Sequence, residues 1–334
     1  MRLRAPSYPL ITIDPYFSVW SSADKLTDED TVHWTGHPNV ISGIAEIDGK
    51  KYRIIGATNN ETIPAMKQVS VDCNAFSTTY VFEENGVRLK LIFTSPIIPN
   101  DLYMLSRPVS YLEVIREKTD NKIHSVKIKI SVSEQICMNL AGDDDVTIEE
   151  LKLGKLDSIK MGTKSQKMLQ RDGDDLRIDW GYFYLTTQGN VSTFKDKDMT
   201  FVSAEADVKI SSPALFTFAY DDIYSLEYFG AHLRSYWNRN GELITDEIVK
   251  AHADYRTTMK RCNDMADKLF IDATRAGGEK YAELLELAFR QTIAAHKLVL
   301  DQNGEVLFIS KECFSNGCAA TVDVSYPSIP MFAQ

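Results

Sequence analysis

The sequence is short of the features that most readily announce a function. No apolar run approaches the roughly 18 residues needed to cross a bilayer, so insertion into a membrane is not expected. The first residues, Met1 to Pro6, lack the apolar core of a signal peptide. Two locations stay open: secreted or periplasmic with the leader removed, or cytoplasmic. Basic residues are outnumbered, 37 against 47 acidic, for a net charge of −10. A polyphosphate needs a basic face, so nucleic acid is not an expected partner. An anionic membrane surface is disfavoured for the same reason.

Five cysteines are too few for a disulfide framework, and no CxxC pair offers a structural zinc site. They read mainly as small buried hydrophobes, with Cys313 and Cys318 close enough in sequence to pair. The six histidines are scattered. His33 and His37 are four apart, but Gly36 and Pro38 deny them a helix, so a metal site there is not expected. His252 and His296 fall on apolar stretches and read as core residues. The Walker loop, GxGxxG, HExxH and GxSxG are all absent, and no cofactor is implied. The acidic clusters Asp143 to Asp145 and Asp172 to Asp175 lack an EF-hand pattern and read as solvated loops.

What is present is enough for a folded core. Of 334 residues 44% are apolar and 25% charged, which suits a globular chain of about two domains. Val126, Ile128, Ile130 and Val132 alternate with Lys127, Lys129, Ser131 and Ser133, a half-buried strand. Val87, Leu89, Leu91 and Phe93 do the same after Asn85-Gly86, and Asp48-Gly49 marks another hairpin. Strand patterns return over 176–187, 199–210 and 214–220. Residues 141–175 are polar and read as an excursion with weak structure. Alternating strands without intervening helices point to an antiparallel sandwich.

The period changes after that. Residues 225–237 read as a short helix with Ser225 as N-cap. From Thr245 the spacing is helical, and Gly277-Gly278 ends that element. A further helix is expected from about Glu279 to Leu300. Its apolar face would carry Tyr281, Leu284, Leu285, Ala288, Thr292, Ala295 and Val299. Glu283, Glu286, Arg290, Lys297 and Asp301 would face solvent. Beyond it come a hairpin-like stretch from Val306 to Ile309 and a loop. The apolar arcs of both helices exceed what one partner helix covers. Together with the apolar residues before Gln334, this gives the expectation that the sequence is the first part of a longer helical domain. Self-association through such exposed helices is a corollary.

Two segments concentrate chemistry. Residues 310–330 carry the carboxylates Glu312 and Asp323, the amide Asn316 and the phenol Tyr326. Two carboxylates can divide acid and base work when their surroundings differ. A structured connection, with Asn316-Gly317 a turn and Asp323 a cap, explains the same residues equally well. Residues 14–36 hold Trp20 and Trp34 among polar groups, a composition that suits a pocket for a sugar or another small polar ligand. It also suits a strand packing on a domain.

Longer stretches resemble a known family. A-P-S-Y-P-L-I-T-I-D-P-Y-F-S-V-W-S (5–21), H-W-T-G (33–36) and I-D-G-K-K-Y-R (47–53) are similar to the N-terminal region of the glutaminase A family. Y-D-D-I-Y-S-L-E-Y-F-G (220–230) with Tyr236-Trp237 resembles the end of its sandwich domain. G-G-E-K-Y-A-E-L-L-E-L-A-F-R-Q-T-I-A-A-H-K (277–297) and F-S-N-G-C-A-A-T-V-D-V-S-Y-P-S-I-P (314–330) resemble the opening of its helical domain. The resemblance implies three parts. Residues 1–60 would be an N-terminal segment packing on a sandwich, 61–240 the β-sandwich, and 241–334 the start of an (α/α) toroid, an architecture shared with glycoside hydrolases. It also implies hydrolysis of L-glutamine to L-glutamate and ammonia. Glu312 and Asp323 are then the candidate catalytic residues, and Asn316, Tyr326, Trp20 and Trp34 the candidate substrate-binding ones. Cys313 stands where the family has Asn, and Cys318-Ala319-Ala320 where it has Ser-Ile-Gly, so substrate contacts are open to change. A carbohydrate-processing enzyme and a non-catalytic sandwich scaffold are the alternatives.

Overall fold

The computed structural model describes residues 3–57, 62–171, 173–311 and 318–332. Strands β1 (Tyr8–Thr12), β2 (Ser18–Ser21) and β3 (Val32–His33) come first. They are followed by β4 (Ile41–Ile47), β5 (Lys50–Ile55), β6 (Lys67–Cys73), β7 (Ser77–Glu84), β8 (Val87–Thr94) and a short helix α1 (Leu102–Ser106). Next come β9 (Val109–Lys118), β10 (Val126–Ser133), β11 (Val146–Leu153), β12 (Leu156–Thr163), β13 (Tyr182–Thr187), β14 (Asn190–Asp196), β15 (Met199–Asp207) and β16 (Ala214–Asp221). The rest is β17 (Leu226–Tyr228), β18 (Ala231–Leu233), α2 (Ile244–Gly277), α3 (Glu279–Ala294), β19 (His296–Leu300), β20 (Val306–Ser310) and α4 (Val322–Phe332). No described helix is long and apolar enough to cross a membrane.

The architecture is the expected antiparallel sandwich with helices added. A five-stranded sheet, β14-β15-β10-β4-β5, packs on an eight-stranded sheet, β11-β12-β13-β16-β9-β8-β7-β6. Ile41, Ala45, Ile128 and Ile130 from one sheet share a core with Phe82, Leu89, Leu91 and Leu112 from the other. The period-2 pattern sets this register, because a one-residue slip would turn each apolar set to solvent. On the outer side of β8, Lys90 donates to Glu117 at 2.5 Å and Arg88 to Glu83 at 2.6 Å. The two predicted hairpin turns have the positive φ that a tight two-residue turn requires: 51° and 81° at Asp48 and Gly49, 47° and 73° at Asn85 and Gly86.

The eight-stranded sheet is covered on its other face by α2. Val109, Tyr111 and Ala219 of the sheet bury against Ile244, Ile248 and Ala251 of the helix. Ion pairs fix the docking. Arg107, fully buried, donates from Nη1 to Asp254 at 2.7 Å and from Nη2 to the Tyr111 hydroxyl at 2.7 Å. Arg261 reaches Asp101 at 2.8 Å, and Tyr103 donates to the buried Glu247. The helix ends at Gly277, and Gly278, at φ 84°, closes it by donating to Thr274. His252 lies against the sheet, its Nε2 3.2 Å from the Thr217 hydroxyl, and burial pushes its pKa down to about 4.

Five expectations are corrected. Residues 225–237 form the β17-β18 hairpin and a 3₁₀ turn at Tyr236–Asn238 instead of a helix. Phe229 and Gly230 both take positive φ, which interrupts any helix and closes a hairpin. The stretch 141–175 contains the β11-β12 hairpin. Its polarity is that of an edge strand, for β11 ends the sheet. The helix expected to reach Leu300 stops at Ala294, and His296–Leu300 pairs with Val306–Ser310. The chain from Val322 to Phe332 is a helix, with Asp323 in its first turn, where a loop was expected. The faces of α3 are also reversed. Tyr281 and Leu284 are exposed, whereas Glu286 and Arg290 are buried, as is Lys297 in β19. Ala282, Phe289 and Ile293 face the core, with Phe289 against Phe76. Cys137 and Cys262 are buried free thiols; Cys313 lies outside the described residues.

Two outcomes follow. Asp254→Ala strands the Arg107 guanidinium inside the interface and should cost about 2 kcal/mol, the low end for a broken buried pair because Asp254 is part exposed. Urea denaturation followed by circular dichroism measures it. His124 sits between Asp48 (2.6 Å) and Asp120 (3.0 Å), whose hydrogen bonds raise its pKa. A raised folded-state value means this contribution is full below the unfolded value of about 6.5. It is lost as pH rises through the higher folded value. NMR titration of the His124 ring should therefore give a midpoint above that of a free histidine, and His124→Gln should flatten the stability profile there.

Candidate functional site

The small sheet β1-β2-β3 and the C-terminal end of α3 enclose a cleft of about 420 Å³. That volume lies in the ~300–1,000 Å³ range of small-molecule clefts. Its walls carry the two tryptophans singled out from the sequence. β2 sets Trp20 opposite Pro9 and Val32, and β3 delivers His33 and Trp34 beside it. Ser7, Ser18 and Ser22 add hydroxyls, and Gln291, Ala294 and Ala295 close the α3 side.

Backbone carbonyls lock the aromatic wall. Trp34 Nε1 donates to the Pro15 carbonyl at 3.0 Å, and His33 Nε2 lies 2.9 Å from the same oxygen. Because a carbonyl only accepts, His33 must carry its proton on Nε2. Its Nδ1 then accepts from Thr35, 2.9 Å away. Burial pushes the His33 pKa down to about 3, so the ring is neutral. With both nitrogens engaged it is no metal ligand, and no cluster of metal-binding side chains occurs among the described residues. Trp34 is 39% exposed and lines the cleft. Trp20 is 7% exposed, with Nε1 donating to Ser18 Oγ at 2.8 Å, and presents only a margin.

A buried ion cluster holds this wall in place. Lys297 Nζ lies 2.5 Å from Asp14 and 2.7 Å from Asp222, and all three side chains are nearly inaccessible. Desolvation opposes the Lys297 charge, but Asp14 and then Asp222 outweigh it and raise the ammonium pKa. The other Asp14 oxygen accepts from the Tyr16 and Phe17 amides at 2.9 and 3.0 Å, shaping the turn whose Pro15 carbonyl holds His33 and Trp34. Asp222 is fixed in turn, its carbonyl accepting from Trp180 Nε1 at 2.8 Å. Nearby, Arg290 is buried against the Thr78 and Thr12 hydroxyls.

Of the other predicted residues, the described Asp323 and Tyr326 do not line that cleft. Asp323 is exposed on the first turn of α4, and Tyr326 is 72% exposed one turn on. Glu312 and Asn316 lie outside the described residues. Lys311, just before them, donates its amide to the Ala295 carbonyl at 3.0 Å, at the margin of the cleft. Sequence reasoning therefore brought Trp20 and Trp34 together but missed Asp14, Asp222 and Lys297. Asp14-Pro15 did carry a signal, the side-chain-capped turn typical of Asp before Pro. Lys297 carried none, since it reads as the solvent face of a helix.

The ion cluster gives a test. Lys297→Met leaves two carboxylates buried without their cation and should destabilise the chain by about 3–5 kcal/mol. Adding Asp222→Asn to that variant should recover part of the loss, measured by urea denaturation. Additive losses would mean the three groups do not act as one unit.

Three family models match the chain in succession: a domain of unknown function, DUF4964, over residues 1–67; a second, DUF5127, over 76–210; and the glutaminase A six helical-hairpin domain over 278–334. Glutaminase A of Aspergillus oryzae is 25% identical over 98% of this chain and 54% of its own length. The "Probable glutaminase" of Arthroderma benhamiae is 21% identical over 99% of this chain and 45% of its own. The chain thus spans about half the length of these curated relatives. A solved structure titled "Putative kojibiose phosphorylase from human microbiome" covers 82% of this chain and 34% of its own at 10% identity, with a TM-score of 0.32, too slight a likeness to bear on function. The helical-hairpin model at one end and two glutaminase relatives along nearly every residue agree in likening the chain to the glutaminase A family.

Proposed function

We propose that this chain carries the N-terminal portion of a glutaminase, hydrolysing the side-chain amide of L-glutamine to L-glutamate and ammonia. The observation that carries the reading is the match to glutaminase A over 98% of the chain. Amide hydrolysis needs an activated water, donors for the developing oxyanion and an acid for the departing ammonia. Asp323 supplies an exposed carboxylate at a helix N-terminus. Glu312 is its candidate acid-base counterpart, and Asn316 and Tyr326 are candidate donors to substrate. The curated relatives are about twice as long, and further partners of these groups are proposed to come from the half this chain does not span. Without those partners, the 334 residues alone are expected to be inactive.

A second reading, carbohydrate processing, is favoured by one observation, the uncharged aromatic wall of the cleft. The same variant separates the two. In a protein of the relatives' full length, Asp323→Asn should lower ammonia release from L-glutamine by about 10²-fold or more. The change should fall on kcat, with KM nearly unmoved. The 334-residue chain alone should release none. Release of sugar from aryl glycosides that disappears in Asp323→Asn, with no release of ammonia by the parent protein, replaces the amide reading with the glycan one.

A further inference from the structure

We infer that the cleft between β1-β2-β3 and the end of α3 binds a neutral, hydroxylated ring of the sugar class rather than a free amino acid. The argument starts from charge. Among the described residues no ionised side chain lines the cleft, and His33, the one titratable member, is held neutral by burial with both nitrogens engaged. A free amino acid such as glutamine is a zwitterion. Moving its ammonium and carboxylate out of water costs several kcal/mol apiece unless each meets a counter-charge or dense hydrogen bonding. The described lining offers no counter-charge to either. The nearby charges are already committed, Arg4 to Asp24 at 2.7 Å and Lys297 to Asp14 and Asp222.

The groups that are present suit a different ligand. Trp34 is 39% exposed in the cleft, and the bond from Nε1 to Pro15 restrains its indole, so little ordering remains to be done on binding. Around it stand the hydroxyls of Ser7, Ser18 and Ser22. Ser18 accepts from Trp20, and Ser7 faces Ser22 at 3.4 Å, which leaves each hydroxyl with further hydrogen-bonding capacity. Gln291, exposed on α3, adds a carboxamide that both donates and accepts. A purely apolar ligand would leave these groups unpaired. A pyranose ring has one apolar face for the indole and a rim of hydroxyls for the serines and the carboxamide. The inference assigns Trp20 and Trp34, candidate contacts for glutamine in the glutaminase reading, to a different ligand, and competition by L-glutamine separates the two.

The test uses the purified chain with methyl β-D-glucopyranoside, maltose and L-glutamine as probes, followed by saturation-transfer NMR and backbone amide shifts. At least one of the two glycosides should bind at millimolar concentration and move the amides of Ser7, Gly36 and Gln291, and L-glutamine should not displace it. Trp34→Ala should weaken that binding by about tenfold or more, and Trp34→Phe should retain most of it. Gln291→Ala, on an exposed helix position, should weaken binding with an unchanged fold. It serves as the independent variant if Trp34→Ala perturbs the small sheet. Absence of binding by both glycosides overturns the inference. So does binding that is insensitive to Gln291→Ala and a folded Trp34→Ala, or competitive displacement by L-glutamine.

Discussion

One buried cation holds together the parts from which the candidate site is built. Lys297 comes from β19, Asp14 from the turn after β1, and Asp222 from the end of β16, and no two of these are near in sequence. Taking three charges out of water is costly, and the cluster persists only because each group has a fixed partner. The consequence is positional. Asp14 shapes its turn through the Tyr16 and Phe17 amides, the turn aims the Pro15 carbonyl, and that carbonyl fixes the rings of His33 and Trp34. The cleft wall is thus set by an ion pair that does not itself line it.

The helices attach to the sandwich by two different devices. α2 lays an apolar face on the eight-stranded sheet and pins its polar flank through Arg107 and Asp254. α3 buries Phe289 and Ile293 together with the guanidinium of Arg290, which rests on threonine hydroxyls. The opposite sides of α3 and α4 leave Tyr281, Leu284, Ile329 and Phe332 substantially exposed. The uncovered residues are apolar and the covered ones include charges, so the inner contacts are selected by hydrogen-bonding geometry as much as by hydropathy.

The functional picture divides along chemical lines. The carboxylate of Asp323 stands on an exposed helix turn, suited to proton transfer once partners surround it. The tryptophan cleft has no ionised side chain among its described lining residues, which suits recognition of a neutral ligand. Similarity to the glutaminase relatives underlies the proposal that the first serves amide hydrolysis. Nothing in that similarity requires the second to take the same ligand.

Local chemistry in the sequence determined much of the fold. Alternation in 87–93 and 126–132 dictated half-buried strands, Asp48-Gly49 and Asn85-Gly86 dictated tight turns, and Gly277-Gly278 ended a helix, because each depends only on neighbours along the chain. It also placed Trp20 and Trp34 in one polar-aromatic segment. Tertiary structure alone decided the rest. Whether 296–300 continues a helix or pairs as a strand turns on β20 and on two carboxylates more than 70 residues away. Whether Arg290 faces water or the core turns on Thr12 and Thr78. A lone charged residue in a helical pattern carries no mark of the distant partner that will bury it, and for Lys297 that partner is what gives the cleft its shape.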